Sequence, residues 1–219
     1  IKRKKIFGEK IGAVVEHEKY PGNVSKQKLV SEISRLNKNS SVHGIIVQSP
    51  LPKHLQDVSE LIAEEKKIDG GKYFVSATTR GILTLLDKYK IKIAGKKIMV
   101  IGRSDLVGKP TALEMLKHDA TVTICHSKTK KLREETRKAD ILIVAAGKPN
   151  LITKNYVSKN QVVIDVGINI LGHEKLVGDV DFKNVSKIVK AISPVPGGVG
   201  PMTVASLFEN LLRAYELQA

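Results

Sequence analysis

The stretch Gly102-Arg103-Ser104-Asp105-Leu106-Val107-Gly108 stands between an apolar run, Lys97 to Ile101, and a helical stretch from Pro110 to Lys117. At a turn of this kind, backbone N–H groups and the dipole of the following helix bind a pyrophosphate. The middle glycine of G-x-G-x-x-G is missing, so the same residues also read as an ordinary strand-to-helix turn. The next apolar run, Thr121 to Cys125, ends in His126-Ser127-Lys128-Thr129, where nucleotide folds that take NAD end in Asp or Glu against the ribose. No carboxylate stands there to repel a 2′-phosphate, and Arg103 lies in the neighbouring turn. The donors favour NADP over NAD, the competing reading being a lysine-rich surface turn.

Three other segments carry chemistry of a different kind. Gln48 ends the apolar run His43 to Gln48 and is followed by Ser49-Pro50-Leu51-Pro52, which must leave regular structure. A polar amide at the carboxyl end of a strand in an open α/β sheet either meets a ligand or ties down the loop. Asp165-Val166-Gly167-Ile168-Asn169 ends another apolar run. Pro194-Val195-Pro196-Gly197-Gly198-Val199-Gly200-Pro201 is a stiff loop with exposed backbone, suited either to close approach of a flat ligand or to strapping domains together.

These segments are positioned by apolar runs that alternate with helical spacing, the pattern of βαβ units and a parallel sheet. A helix over Ile1 to Gly12 leads to a short strand Ala13 to His17, and Ser25 caps a helix through Leu29, Ile33 and Leu36. His43 to Gln48 reads as a buried parallel strand, and a helix runs through Val58, Leu61 and Ile62 before the Asp69-Gly70-Gly71 turn. A helix spans Thr79 to Tyr89. Strands at Lys97–Ile101, Thr121–Cys125, Ile141–Ala145 and Val162–Val166 then make a dinucleotide-binding half.

The 219 residues are 42% hydrophobic and 27% charged, within the globular range, and no run approaches a membrane span. The first residues, Ile-Lys-Arg-Lys-Lys, resemble neither a signal peptide nor a natural start, so the chain reads as clipped. One cysteine, Cys125, excludes an internal disulfide framework and a cysteine metal cluster and fits a reducing, cytoplasmic compartment. No metal site is expected. The net charge of +15 suits nucleic acid, anionic small ligands or simply a lysine-rich surface. Scattered basic residues and 4% aromatics argue against the first.

HGIIVQSPLP (43–52), GRSDLVGKP (102–110), CHSKT (125–129), DVGIN (165–169) and PVPGGVGPMT (194–203) together resemble the methylenetetrahydrofolate dehydrogenase/methenyltetrahydrofolate cyclohydrolase family, in the family's order and over essentially the whole chain. The resemblance implies an α/β protein of two domains with a cleft between them. Residues 1–78 with 203–219 would form the folate-binding catalytic domain, N-terminally incomplete, and 79–202 the Rossmann-type NADP domain. It further implies a homodimer acting on tetrahydrofolate derivatives, polyglutamylated forms among them.

Carried over by motif, Lys4 stands at the family's active-site lysine, whose tyrosine partner would precede Ile1; Gln48 and Asp69 stand at its folate-handling residues. Val47, Pro50, Leu51, Pro196, Gly197 and Gly198 would line the substrate. Gly102, Arg103, Ser104, Val107, His126, Ser127, Ala145, Gly147, Ile168 and Thr203 would hold the nucleotide. Two departures stand out. The family's P-C-T-P-x-G is here Ser76-Ala77-Thr78-Thr79-Arg80-Gly81, and the stretch from Asp69-Gly70 to it is shorter than the family's, which reads as missing sequence rather than a deletion.

On this resemblance hydride removal needs positioning rather than a base, and hydrolysis of the methenyl product needs a lysine of lowered pKa against a glutamine. The rivals are a dehydrogenase without the cyclohydrolase step, since the tyrosine is unseen, and a basic nucleic-acid-binding module with salt-sensitive affinity.

Overall fold

The computed structural model describes residues 1–172 and 175–219, which divide into two compact units, 1–77 with 204–219 and 78–203. The larger unit is built on a five-stranded sheet of β1 (Lys97–Ile101), β2 (Thr121–Cys125), β3 (Ile141–Val144), β4 (Val162–Asp165) and β7 (Ala191–Ile192), in the order β2-β1-β3-β4-β7. All four pairings are parallel, with Ile101 opposite Cys125 and Val144 opposite Asp165 at the carboxyl ends. A small antiparallel ribbon, β5 (Asn169–Leu171) with β6 (Lys175–Val177), follows β4.

Side chains alternate across a strand, so a parallel sheet covered on both faces needs nearly continuous apolar runs. One face sends Ile98, Val100, Ile141, Ile143 and Ile164 against α3 (Ala77–Lys88), through Ile82 and Leu86, and α4 (Gly108–Lys117), through Ala112 and Met115. The other sends Met99, Ile101, Leu142, Val144 and Val163 against Ile152, Val157, Val180 and Val185. Val185 closes the short helix α6 (Phe182–Val185), and α5 (Leu132–Thr136) follows the turn after β2. Each such fully buried aliphatic side chain stabilises the unit by about 1.5 to 3 kcal/mol. β2, one of the two edge strands, is mostly exposed.

The smaller unit holds α1 (Lys2–Lys10), α2 (Lys26–Lys38) and most of α7 (Val199–Gln218). Ser25 caps α2 as its sequence predicts, its hydroxyl accepting the Lys28 N–H at 3.2 Å. Three expected elements differ. Ala13 to His17 forms no ladder with any described residue, and Val14 is 88% exposed. His43 to Gln48 is reduced to one parallel bridge, Ile45 to Lys67, closed by the Ile45 N–H on the Lys66 carbonyl at 2.7 Å. A strand persists only as far as its neighbour does, and apolar composition alone does not supply the neighbour. The expected helix through Val58 is two single 3₁₀ turns, Lys53–Leu55 and Val58–Leu61, too short for the costly helical nucleus to propagate.

The buried Asn210 of α7 ties this unit together. Its Nδ2 donates to the Ile68 carbonyl at 2.9 Å and the Val75 carbonyl at 2.8 Å, fastening both ends of the 69–74 turn to the helix. Its Oδ1 is buried without a hydrogen bond. Replacing Asn210 by Leu strands two carbonyls, and we expect a loss of about 2 to 4 kcal/mol in urea unfolding with an unchanged slope. An equally stable variant would show that these two bonds do not hold the turn.

Candidate active and nucleotide sites

Lys2, Arg3, Lys4 and Lys5 lie together on α1, yet only Lys4 is partly buried. Its Nζ donates to Gln48 Oε1 at 3.1 Å, and Gln48 Nε2 donates in turn to the Ser49 carbonyl at 3.1 Å. Burial holds the Lys4 ammonium below the ordinary lysine value, and the Asp69 carboxylate opposes the shift without cancelling it. Asp69 is itself fixed by the Ala77 N–H, which donates to its Oδ1 at 2.9 Å. The structure therefore gathers Lys4, Gln48 and Asp69 in one unit. A neutral amine anchored through one N–H keeps its lone pair for a proton, the requirement of a general base.

Beside Gln48, Val47 and Leu51 pack on the apolar cluster around Ile45, Leu55 and Val58, while Pro50 is exposed. The other expected substrate residues, Pro196, Gly197 and Gly198, belong to the larger unit. Gly197 takes a φ of 103°, and a Cβ on Gly198 would meet the Pro194 carbonyl.

The residues expected to hold the nucleotide all lie in the larger unit, Thr203 on α7 and the others in the turns beyond the carboxyl ends of β1 to β4. Gly102 follows β1 with a φ of 123°, and a Cβ there would strike the Ala145 carbonyl after β3. A Cβ on Gly108 would strike Gly102 in turn. Only glycine permits the three segments to approach so closely. The Gly102 N–H also donates to the Cys125 carbonyl at 2.9 Å, so Arg103 and Ser127 each stand two residues beyond paired strand ends. Arg103 is exposed and makes no hydrogen bond or ion pair with the described residues.

Ser104 Oγ accepts from the N–H groups of Val107 at 3.2 Å and Gly108 at 3.3 Å, which leaves Arg103 to Leu106 as the turn's backbone donors. The turn after β2 is closed by the His126 N–H on Thr129 Oγ1 at 2.9 Å and by the Lys128 N–H on His126 Nδ1 at 3.1 Å. His126 therefore carries its ring hydrogen on Nε2. Ile168 is 66% exposed beyond β4, and the Thr203 hydroxyl is turned inward to the Val199 carbonyl at 3.1 Å. A glycine cradle beside an unpaired guanidinium fits a phosphorylated dinucleotide.

Sequence reasoning quotes Asp165 without a role and misses Asp179 altogether. Both are buried. Asp165 Oδ1 accepts from the N–H groups of Gly167 and Asp179, each at 3.0 Å, and its Oδ2 from that of Val180 at 3.0 Å. Asp179 Oδ2 accepts from Ala146 N–H at 2.6 Å and Gly147 N–H at 2.8 Å, and its Oδ1 from Asn169 Nδ2 at 2.9 Å. The available signal was Gly178, where a Cβ would strike the Asp165 carboxylate.

Burial pushes Asp165 from the ordinary 3.8 up to about 6, against the pull of its backbone donors and with a smaller push from Asp179. A raised folded-state value means that protonation favours the folded form. That contribution is full below about pH 4 and is lost as the pH rises through about 6. Across this window, denaturant unfolding of the wild type should lose up to about 3 kcal/mol relative to Asp165→Asn, whatever the offset between them. Parallel pH profiles would show that Asp165 does not titrate there.

The family model for the tetrahydrofolate dehydrogenase/cyclohydrolase catalytic domain matches residues 1–69, and that for its NAD(P)-binding domain matches 76–219. The chain is 48% identical over 214 residues to the bifunctional protein FolD of Thermodesulfovibrio yellowstonii, covering 91% of this chain and 75% of that protein. It is 44% identical to that of Ligilactobacillus salivarius, covering 99% and 81%. Among solved structures, the bifunctional FolD enzyme of Campylobacter jejuni superposes with a TM-score of 0.95 at 41% identity, over 100% of this chain and 83% of that one. The Trypanosoma brucei enzyme, solved with NADP cofactor and an inhibitor, superposes with a TM-score of 0.93 at 32% identity, over 99% and 81%. No described helix is long and apolar enough to cross a membrane.

Proposed function

Because the chain belongs to the tetrahydrofolate dehydrogenase/cyclohydrolase family, we propose that it performs two successive steps on one folate. The first is NADP-dependent oxidation of 5,10-methylenetetrahydrofolate to the 5,10-methenyl form. The second is hydrolysis of that product to 10-formyltetrahydrofolate. The observation that carries the reading is the bond from a partly buried, pKa-lowered Lys4 to Gln48, in the same unit as Asp69.

NADP, when bound, supplies the carbon that accepts hydride. The cation left on the folate is shared by its two nitrogens, so oxidation asks the chain for orientation and not for a base. Arg103 and Ser127 address the 2′-phosphate, with Lys128 at the rim, and the backbone N–H groups of the turn after Gly102 meet the pyrophosphate. In the second step water adds to the methenyl carbon and its proton passes to Lys4 Nζ. That proton returns to ring nitrogen N5 as the carbon–N5 bond breaks, and the hydroxyl proton of the water adduct leaves to solvent, so that the formyl group stays on N10 and one proton is released per turnover. Gln48 Oε1 holds one Lys4 N–H, which directs the lone pair, and the free oxygen of Asp69 accepts N–H groups of the pterin.

We assign residues 1–78 and 203–219 to folate and 79–202 to the nucleotide. Val47, Pro50, Leu51 and the Pro196–Gly198 loop contribute to folate binding. The substrate class includes polyglutamylated folates, whose acidic tails suit a chain of net charge +15. We also propose a cytoplasmic homodimer. Cys125 is free and buried, and edge strand β2 with exposed Ile124 lies against α4, which exposes Leu113 and Leu116.

Lys4→Met should lower methenyl hydrolysis by about 10² to 10⁴-fold while leaving the NADP dissociation constant near the wild-type value. In the wild type, hydrolysis should rise with pH along a limb lying below the ordinary lysine value, and the variant should lack that limb. Hydrolysis retained by Lys4→Met would remove the base from this residue. Arg103→Ala should weaken NADP binding by about 2 to 3 kcal/mol, the strength of a charged hydrogen bond, and leave NAD binding unchanged. Calorimetry with both nucleotides decides it. An equal loss for each would place Arg103 on the shared pyrophosphate instead.

A further inference from the structure

The turn after β2 spends its hydrogen bonds unevenly. The Thr129 N–H donates to the His126 carbonyl at 2.9 Å, closing a β-turn over 126–129. In return the His126 N–H donates to Thr129 Oγ1 at 2.9 Å, and the Lys128 N–H donates to His126 Nδ1 at 3.1 Å. The amide hydrogens of His126, Lys128 and Thr129 are thereby consumed inside the turn. That of Ser127 makes no hydrogen bond with the described residues, and neither does the Ser127 hydroxyl. Ser127 is exposed at the corner of the turn and offers both donors from one residue, an arrangement that two oxygens of a phosphate accept.

Thr129 ties this corner to the strand end. It is partly buried, while Ser127 and Lys128 stand in solvent. Its amide and its hydroxyl both engage His126, the first residue beyond β2. The hydroxyl also reaches the side chain of Cys125, the last residue of β2: burial pushes that thiol up, and the Thr129 hydroxyl pulls it part of the way back. The Cys125 thiol in turn donates to Met99 Sδ at 3.6 Å, which moors the turn to β1, the strand that leads into Arg103. An apolar side chain at 129 would release the His126 N–H and loosen the corner, while Arg103, Ser127 and Lys128 all remained in place in the sequence.

The consequence depends on the nucleotide. On the proposed cofactor reading Arg103 and Ser127 meet the 2′-phosphate, where NAD has only a hydroxyl. Misplacing Ser127 therefore weakens NADP and spares NAD, so a residue that acts by placing Ser127 shows itself in the preference between the two.

We propose that Thr129 is a positioning residue that sets the preference for NADP over NAD, holding the Ser127 amide and hydroxyl toward the 2′-phosphate without touching the cofactor. This rests on the NADP reading and adds to it a determinant of selectivity outside the ligand's reach.

The test measures dissociation constants of NADP, NAD and adenosine 2′,5′-bisphosphate by calorimetry on the full chain. Thr129→Val keeps the shape and removes the hydroxyl; it should weaken NADP and the bisphosphate alike by about 5-fold to 10-fold, the scale of one lost hydrogen bond, and change NAD by less than about twofold. Thr129→Ser restores the hydroxyl and should bring NADP back to within about twofold of the wild type. Thr129→Ala makes the same deletion without the branched side chain and serves if Thr129→Val does not fold. Equal loss of NADP and NAD would reduce Thr129 to holding the fold, and a Thr129→Ser variant as weak as Thr129→Val would take the role from the hydroxyl. A preference for NADP that survives both hydroxyl-free variants overturns this proposal alone. A wild type with no such preference overturns the cofactor reading along with it.

Discussion

Two carboxylates buried at the end of a parallel sheet are the constraint around which the larger unit is arranged. An ionised carboxylate out of water is tolerated only when hydrogen-bond donors replace its hydration. Here the donors are backbone amides and one asparagine, with no basic side chain among them: Gly167, Asp179 and Val180 for Asp165, and Ala146, Gly147 and Asn169 for Asp179. Meeting that demand fixes the turns after β3 and β4 and requires glycine at 167 and 178.

The smaller unit solves a different electrostatic problem. A lysine becomes a base only if its charged form is disfavoured, and partial burial of Lys4 does this while its neighbours on α1 remain in solvent. Asp69 pulls the other way, so the amine is tuned between two opposing influences rather than simply neutralised. Gln48 adds direction without charge, since an amide oxygen accepts the amine's hydrogen and leaves the balance of ionisation nearly undisturbed. The Asn210 straps on either side of the 69–74 turn hold Asp69 in that balance from behind.

The parallel sheet is legible in the sequence because β1, β3 and β4 are buried on both faces, and such strands must be continuously apolar. Segments 13–17 and 43–48 have similar composition but lack an extended partner, a property that no local pattern records. The nucleotide turn is legible from Gly102, Arg103 and the missing carboxylate after β2, since those residues are adjacent to the elements they serve. Lys4 is different: within Lys2 to Lys5 composition cannot choose among the four cations, and only the family register does so. Asp179 is hard to read because the amides it holds at 146 and 147 lie 33 and 32 positions earlier, and the adjacent Gly178 alone hints at a crowded backbone.

The central claim is that one chain carries out oxidation and then hydrolysis on the same folate. It is tested most directly by supplying 5,10-methylenetetrahydrofolate and NADP to the wild-type protein and following NADPH and 10-formyltetrahydrofolate together. The account predicts that both form at rates well above the uncatalysed background, with 10-formyltetrahydrofolate keeping pace with NADPH. NADPH formation with methenyltetrahydrofolate accumulating and decaying only at its background rate would contradict it.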